Sequence, residues 1–434
     1  MNIIFLSGGS GKRMWPLSND IRSKQFIKLF KKENDEYESM VQRVYRQIKN
    51  VDENANVIIA TSKSQVSAIH NQLGKNVSVC VEPCRRDTFP AIALAASYLF
   101  DEMNIDPEES VVVCPVDPYV EISYYECVKK LSEFAGKGVY RLNLMGIEPT
   151  CPSEKYGYII PKSSENISDV LEFKEKPSVE AAKKYIEKGA LWNAGVFAFK
   201  LKYLIETAHK KIDFKDYNDL YNKYNLLEKN SFDYAIVEKE KNIGVIRYSG
   251  EWRDVGTWNM MAEVMSDNTK GNVVLDEMCR NTHVINELDI PVLCMNCNNM
   301  IIAASVDGIL ISDKERSGAI KSYVKKISDD VRFAEKSWGT YQVIDIQLSS
   351  RTVKIKMKKG CSMSYHRHRK RDEIWTIVDG CGKATIDGVE YKLKAGNVIS
   401  ILVGSMHTIY AITDLSIIEV QIGDEISADD KFKF

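Results

Sequence analysis

The chain opens on a strand that breaks into glycines, and this stretch constrains the fold more than any other. Met1-Asn2-Ile3-Ile4-Phe5-Leu6 is a short apolar run, and Ser7-Gly8-Gly9-Ser10-Gly11-Lys12-Arg13 follows it with two cations at its end. Glycines let backbone N–H groups approach oxyanions closely, and Lys and Arg supply charge. The matching ligand is a phosphate chain, so the loop points to a nucleotide. In open α/β sheets such ligands sit beyond the carboxyl ends of strands, where this loop falls. Its spacing fits neither the dinucleotide fingerprint G-x-G-x-x-G nor the P-loop.

A chain of 434 residues holds two or three domains. Lys plus Arg is 59 and Asp plus Glu is 60, a balance that argues against a general nucleic-acid or membrane-surface binder. No apolar run approaches the roughly 18 residues of a membrane span, and the short apolar stretch at the start is too brief for a signal peptide. A cytoplasmic location is expected. The ten cysteines are scattered. Cys294 and Cys297 form a C-x-x-C with no second pair at zinc-ribbon spacing, so they read as reduced core or loop residues.

Residues 1–265 alternate strand and helix signals. Val57-Ile58-Ile59-Ala60 and Val111-Val112-Val113-Cys114 are buried-strand runs, and Pro90 opens an alanine-rich helix. The alternation predicts an α/β domain, Rossmann-like, with a mainly parallel sheet. Residues 266–330 change to short strands with polar breaks, a β-rich connector, ending in a charged, helix-like linker over Lys314–Arg332. Residues 331–434 alternate as strands with glycine turns at Gly380, Gly382 and Gly388, which predicts a small β-barrel.

The opening continues as Met14-Trp15-Pro16-Leu17-Ser18 and then Ser23-Lys24-Gln25-Phe26. The whole run resembles the sugar-nucleotide pyrophosphorylases, with their G-G-x-G-x-R-L-x-P-L-S/T signature. Its Trp before Pro resembles the mannose-1-phosphate guanylyltransferase branch. That resemblance implies transfer of a nucleotidyl group from GTP to mannose 1-phosphate with Mg²⁺. The reaction needs screened charge, aligned reactants and a bound metal. Leu6, Gly8, Gly9, Ser10, Gly11, Lys12 and Arg13 would bind the nucleotide, with Arg13 and Lys24 steadying the phosphates. Cys114-Pro115-Val116-Asp117 matches the family's P-x-D-H, except that Pro118 replaces the His; Asp117 is the implied metal ligand. Trp252-Arg253-Asp254-Val255-Gly256-Thr257-Trp258 resembles W-x-D-V-G-S/T-W, which makes Asp254 the second ligand. Arg253 beside it is expected to offset charge or contact phosphate.

Phe173-Lys174-Glu175-Lys176-Pro177 resembles F-x-E-K-P, implying that Glu175 reads sugar hydroxyls and Lys176 the sugar phosphate. Trp192-Asn193-Ala194-Gly195 and Tyr156-Gly157-Tyr158-Ile159 match further sugar-site segments, adding Asn193, Gly195, Gly157 and Tyr158. Glu82-Pro83-Cys84-Arg85-Arg86-Asp87-Thr88 resembles the guanylyl branch's E-P-x-x-R-N-T. A Glu accepts from guanine N1–H and the exocyclic amine, so Glu82 favours GTP. Pro83, Arg86, Asp87 and Thr88 complete that nucleotide set, with Asp87 where Asn is usual.

Three of the six histidines fall between positions 366 and 407. His366 and His368 share one strand face, Glu373 follows, and Gly396, Gly404 and His407 have cupin spacing. Three histidines and a carboxylate suit Zn²⁺ or another divalent transition metal. The region also resembles the C-terminal half of type II phosphomannose isomerases. Arg371-Asp372-Glu373-Ile374-Trp375 stands against their R-A-E-H-W, and Arg371 matches an Arg implicated in isomerase chemistry. Lys370 and Ile374 replace histidines, and His366 takes a Gln position.

Two other readings stay open from sequence: transfer to another sugar 1-phosphate with a non-catalytic cupin, and a sugar-nucleotide sensor. GTP and mannose 1-phosphate are the expected small-molecule partners, without nucleic acid or membrane. A homo-oligomer, a dimer, is expected.

Overall fold

A computed structural model describes residues 1–9, 12–19, 21–327 and 331–433, so the candidate nucleotide contacts Ser10 and Gly11 lie outside the described residues. The chain divides into two units: Met1–Gly9, Gln25–Gly256 and Glu263–Ser266 form one, and Ser10–Lys24, Thr257–Ala262 and Asp267–Phe434 the other.

The first unit is built on a nine-stranded sheet. Its strands are β1 (Asn2–Ser7), β2 (Asn56–Ser62), β3 (Ser78–Glu82), β4 (Ser110–Pro115), β5 (Leu142–Ile147), β6 (Tyr158–Pro161), β7 (Ile167–Lys174), β8 (Leu191–Lys200) and β9 (Ile243–Tyr248). Their spatial order is β3-β2-β1-β4-β8-β5-β9-β7-β6. The first four pair in parallel, as do β5 and β9. The expected parallel sheet is interrupted by β8, which runs antiparallel to both β4 and β5, and by β7. This reversal matters for function. Phe197 of β8 pairs with Val113 of β4, so the start of β8, with Asn193, lies beyond the carboxyl end of β4.

Burial explains the sequence signals. Ile3, Ile4 and Phe5 of β1 are buried, as are Val111–Cys114 of β4, because the sheet is covered on both faces. The helix Thr88–Ser97 is buried from Phe89 onward, matching its lack of charged residues. Pro90 lies in its first turn, where no intrahelical N–H is needed. Its cap, Asp87, holds a left-handed φ of 72°, tolerated by Asp better than by most residues.

In the second unit, Thr269–Lys270, His283–Asn286 and Met300–Ser305 pair in parallel, and Val273–Leu275 pairs in parallel with Val292–Cys294. This is a short β-helix-like coil. Only short helical turns, Arg316–Ala319 and Lys321–Val324, occupy the expected charged linker among the described residues. Beyond it, a six-stranded and a five-stranded antiparallel sheet form a cupin-like barrel. Val353, Ile355, Trp375, Ile377, Ile409 and Ile417 fill its core.

Candidate functional site

In the first unit the loop after β1 is fixed from below. Gln25 donates to Ser7 Oγ at 3.0 Å, and Thr61 Oγ1 donates to the Ser7 carbonyl at 2.9 Å. Gln65 Nε2 reaches the Gly9 carbonyl at 3.4 Å. These side chains are buried, so Ser7 and Gly9 are held by the chain's own packing. Gly8 and Gly9 are exposed, and Leu6 is half-buried beneath them. A Cβ on Gly8 would stand 3.7 Å from Glu82 Oε1, which brings the expected base-reading carboxylate beside the loop. Tyr224 donates to the other Glu82 oxygen at 2.8 Å, and burial pushes the Glu82 carboxyl above its usual range.

The rest of the Glu82 segment is tied to its neighbours. Asp87 caps Thr88 N at 2.7 Å, and Thr88 Oγ1 accepts from Phe232 N at 2.8 Å. Arg86 donates to the Asn225 carbonyl, and Pro83 is exposed. The structure thus gives Arg86, Asp87 and Thr88 anchoring contacts that their motif alone does not announce.

Asp117 follows the carboxyl end of β4. Pro118–Val120 pairs antiparallel with Trp252–Asp254, setting Asp254 opposite Pro118. The ribbon therefore brings two carboxylates distant in sequence to one end. Both are half-buried. Their oxygen-only donor set suits a hard cation such as Mg²⁺. Arg253 alternates away from Asp254. It pairs with Glu251 at 2.8 Å and Glu263 at 3.3 Å.

Beside the ribbon, Tyr156, Trp192 and Trp252 form an aromatic cluster with ring centroids 4.8 to 6.2 Å apart. Burial, and then the charge of Asp254, push the Tyr156 phenol up to about 12. The buried Trp252 indole N–H has no hydrogen-bond partner among the described residues.

The residues expected at the sugar converge. The Asn193 amide donates to the Gly157 carbonyl at 2.8 Å, and Gly195 N donates to Asn193 Oδ1 at 3.0 Å. Glu175, its side chain 6% exposed, accepts from Lys176. A Cβ on Gly157 would stand 2.6 Å from Glu175 Oε2, so only glycine leaves that carboxylate its place. The Tyr158 hydroxyl accepts from Trp192 Nε1 at 3.1 Å and is otherwise held by the Ser153 backbone.

Sequence reasoning missed Asp233. It accepts from Asn193 Nδ2 at 2.7 Å. Burial, and then the charge of Glu175, push it up to about 6. No spacing marks it in the sequence; only the fold delivers it.

In the second unit, Lys12 and Arg13 form a short turn with Met14, Arg13 exposed, and Lys24 is half-buried. Trp258 donates to the Trp15 carbonyl at 2.9 Å, joining two motif tryptophans.

The barrel gathers the histidines. His366, His368 and His407 offer ligand atoms within 4.8 Å of one another, all buried. Each Nδ1 faces a backbone carbonyl: Ser364 at 2.7 Å, Asp430 at 2.6 Å and Ser405 at 3.0 Å. Those contacts place the protons on Nδ1 and turn the Nε2 lone pairs inward, the orientation a metal needs. His407 Nε2 has no hydrogen-bond partner among the described residues. Glu373 stands 3.0 Å from His368 Nε2 and 3.4 Å from His407 Nε2. Lone pairs facing a carboxylate repel unless a cation sits among them, so the donor set fits a divalent transition metal. Burial, then the charge of Lys431 and the neighbouring His407, drive His366 down to about 3. Arg371 is buried and binds Glu373 at 3.1 Å, Ser427 O at 3.0 Å and His368 Nε2 at 3.1 Å.

Residues 2–271, more than half of the chain, match the Nucleotidyl transferase family. The chain belongs to that family. Residues 325–434 match the family described as Mannose-6-phosphate isomerase C-terminal. The chain is 27% identical to the mannose-1-phosphate guanylyltransferase of Escherichia coli, covering 98% of this chain and 97% of that one. It is 28% identical to the xanthan biosynthesis protein XanB of Xanthomonas campestris pv. campestris, covering 99% and 97%. A solved protein of Thermus thermophilus, described as a mannose-1-phosphate geranyltransferase, superimposes with a TM-score of 0.61 at 25% identity. That superposition covers 75% of this chain and 98% of the other. As a nucleotidyl transferase, the chain carries its isomerase-type cupin in the same polypeptide. No helix of the described residues is long and apolar enough to cross a membrane.

Proposed function

We propose that this nucleotidyl transferase makes GDP-mannose and pyrophosphate from GTP and mannose 1-phosphate. The observation that carries the reading is the ribbon that pairs Asp254 with Pro118 and so joins two carboxylates at the end of β4, next to the Glu175–Asn193 pocket. In this reading the sugar phosphate oxygen attacks the α-phosphate of GTP in line, and pyrophosphate leaves. Bound by Asp117 and Asp254, Mg²⁺ would supply charge neutralisation at the transferring phosphate. Lys12, Arg13 and Lys24 steady the triphosphate, and Glu82 reads guanine. Lys176 holds the sugar phosphate, while Glu175 and Asn193 orient the hydroxyls. Residues 1–265 are the transferase, 266–330 the connector and 331–434 the cupin. The expected setting is the cytoplasm, and the expected assembly is a homodimer.

The test is Mg²⁺-dependent pyrophosphate release with mannose 1-phosphate against each of four nucleoside triphosphates. Release with GTP alone is expected. Release with ATP at an equal rate removes Glu82 from base reading; release only with a different sugar 1-phosphate moves the substrate assignment.

We infer a second activity in the barrel, isomerisation of mannose 6-phosphate. Its support is the inward-turned His366, His368 and His407 set, Arg371 beside it, and a cavity of about 830 Å³ lined by His366, His368 and Arg371. A bound divalent metal would polarise the substrate's oxygens at the carbonyl carbon. Glu373 and Arg371 hold the charge and orientation of the histidines, and Trp375 N–H steadies Glu373 at 3.3 Å.

A further inference from the structure

The barrel cavity is lined by Arg332, Lys336, Arg351, Arg371, Lys431 and Lys433, against Glu373 and Glu419 as its only carboxylates among the described lining residues. Both carboxylates are occupied. Glu373 is held by Arg371 and Trp375, and Glu419 accepts from Gln421 at 2.5 Å. The cavity lining therefore keeps an excess of positive charge.

Two of its cations come from the chain's last short strand and the residue before it, and a third from a strand of the other sheet. Phe432–Lys433 pairs antiparallel with His366–Arg367, and Lys433 stands opposite His366. Directly opposed residues project from the same sheet face. Alternation puts Lys431 on that face too. Lys336, at the end of Phe333–Lys336, lines the same cavity. Burial, and then the charge of Lys433, pull the Lys336 ammonium below its usual range. Burial leads for Lys431 as well, with Lys433 and Arg371 adding to it against Glu373 and Glu419. Crowding like charges in a partly desolvated cavity is costly, and an arriving anion relieves that cost.

We propose that Lys336, Lys431 and Lys433 form the cradle for the phosphate group of a phosphorylated sugar, next to the histidine set. This rests on the reading of the barrel as a phosphosugar isomerase, and it assigns that site's substrate-holding residues. The cavity volume suits a hexose phosphate. An ammonium reads a phosphate as a point charge, so three converging lysines need no fixed fork geometry.

The experiment is calorimetric titration of the full chain with mannose 6-phosphate, mannose and inorganic phosphate, for wild type, Lys431→Ala, Lys433→Ala and Lys431→Arg. The expected result is at least a tenfold weaker affinity for mannose 6-phosphate in each Ala variant. Lys431→Arg should stay within threefold of wild type, which separates lost charge from lost folding. Mannose should bind far more weakly than its phosphate in wild type. Unchanged mannose 6-phosphate affinity in both Ala variants overturns the cradle. So does wild-type affinity for inorganic phosphate equal to that for mannose 6-phosphate. Isomerase turnover is followed in parallel by fructose 6-phosphate formation. Lysine-dependent binding without turnover keeps the cradle and removes the isomerase reading; turnover unaffected by the variants does the reverse.

Discussion

Gly157→Ala tests the sugar pocket at its tightest point. The new Cβ would lie 2.6 Å from Glu175 Oε2 and 2.9 Å from Phe173 Cζ, where an ordinary contact begins at 3.4 Å. Relief requires Glu175 to retreat by about 0.8 Å. Phe173 is buried in the core behind the pocket and cannot yield first. Glu175 cannot swing freely either, because Lys176 holds its other oxygen and the carboxyl of Asp233 faces it. A displacement of that size takes a hydrogen bond of about 2.8 Å past the limit of about 3.5 Å. Losing one hydrogen bond to a charged acceptor costs about 1.5–3 kcal/mol.

The expected loss is therefore roughly 10- to 200-fold in kcat/KM for mannose 1-phosphate. The KM for GTP should not move, since Glu82 and the β1 loop are untouched. The assay is coupled pyrophosphate release with each substrate varied in turn, with the melting temperature as the control for folding. Gly157 has no positive φ, so the backbone accepts Ala. A kcat/KM within threefold of wild type would refute the placement of Glu175 at the sugar. A matching loss in KM for GTP would show a general distortion instead.

Asp254→Ala should lower GDP-mannose formation more than tenfold with an unchanged melting temperature; retention of a tenth of the wild-type rate removes Asp254 from the metal site. Asp233 has its pKa raised from 3.8 to about 6, so the folded chain binds that proton more tightly than the unfolded chain, and stability falls as pH rises from about 4 through 6. Asp233→Asn keeps the neutral form and should raise stability by roughly 3 kcal/mol at pH 8, with no gain near pH 4; equal melting-temperature shifts at both pH values would sink this. The barrel should carry about one divalent transition metal per chain by elemental analysis. His407→Ala should weaken that binding more than tenfold and abolish the melting-temperature drop that chelator produces in wild type; undiminished metal content would show that the histidine set is not the site.

Much of this was legible in the sequence because the chemistry sits on local signals. The β1 loop, Asp117 after β4, and the spacing of His366, His368 and His407 each follow from a short window of residues. What stayed hidden depends on pairings that the windows do not contain. Asp233 reaches Asn193 across the fold, and Tyr224 reaches Glu82 from a segment with no motif of its own. Gln25 belongs to a quoted segment, yet its work is to hold Ser7 from beneath. Arg253 pairs with Glu251 and Glu263, partners that its motif does not announce. The antiparallel course of β8 was likewise hidden, since an apolar strand carries no mark of its direction.

The segment Trp252–Trp258 shows why such a motif works as a unit rather than as a list of contacts. Trp252 and Asp254 alternate onto one face of the ribbon, so an aromatic wall and the proposed metal ligand arrive together. Gly256 follows where a Cβ would stand 3.2 Å from Asp254 Oδ1, close enough to crowd the carboxylate proposed to bind a cation. Trp258 then packs fully buried and donates to the Trp15 carbonyl, in the segment that carries Lys12 and Arg13. Gly256 and Trp258 therefore do no chemistry. One leaves the Asp254 carboxylate its space, and the other fixes the turn that follows the glycine loop. Loss of Trp258 should accordingly cost stability and the cations' position together, whereas loss of Asp254 should cost turnover alone. A Trp258→Phe variant that keeps the fold but loses affinity for GTP, with mannose 1-phosphate affinity intact, is the expected signature; equal loss for both substrates would assign Trp258 to packing only.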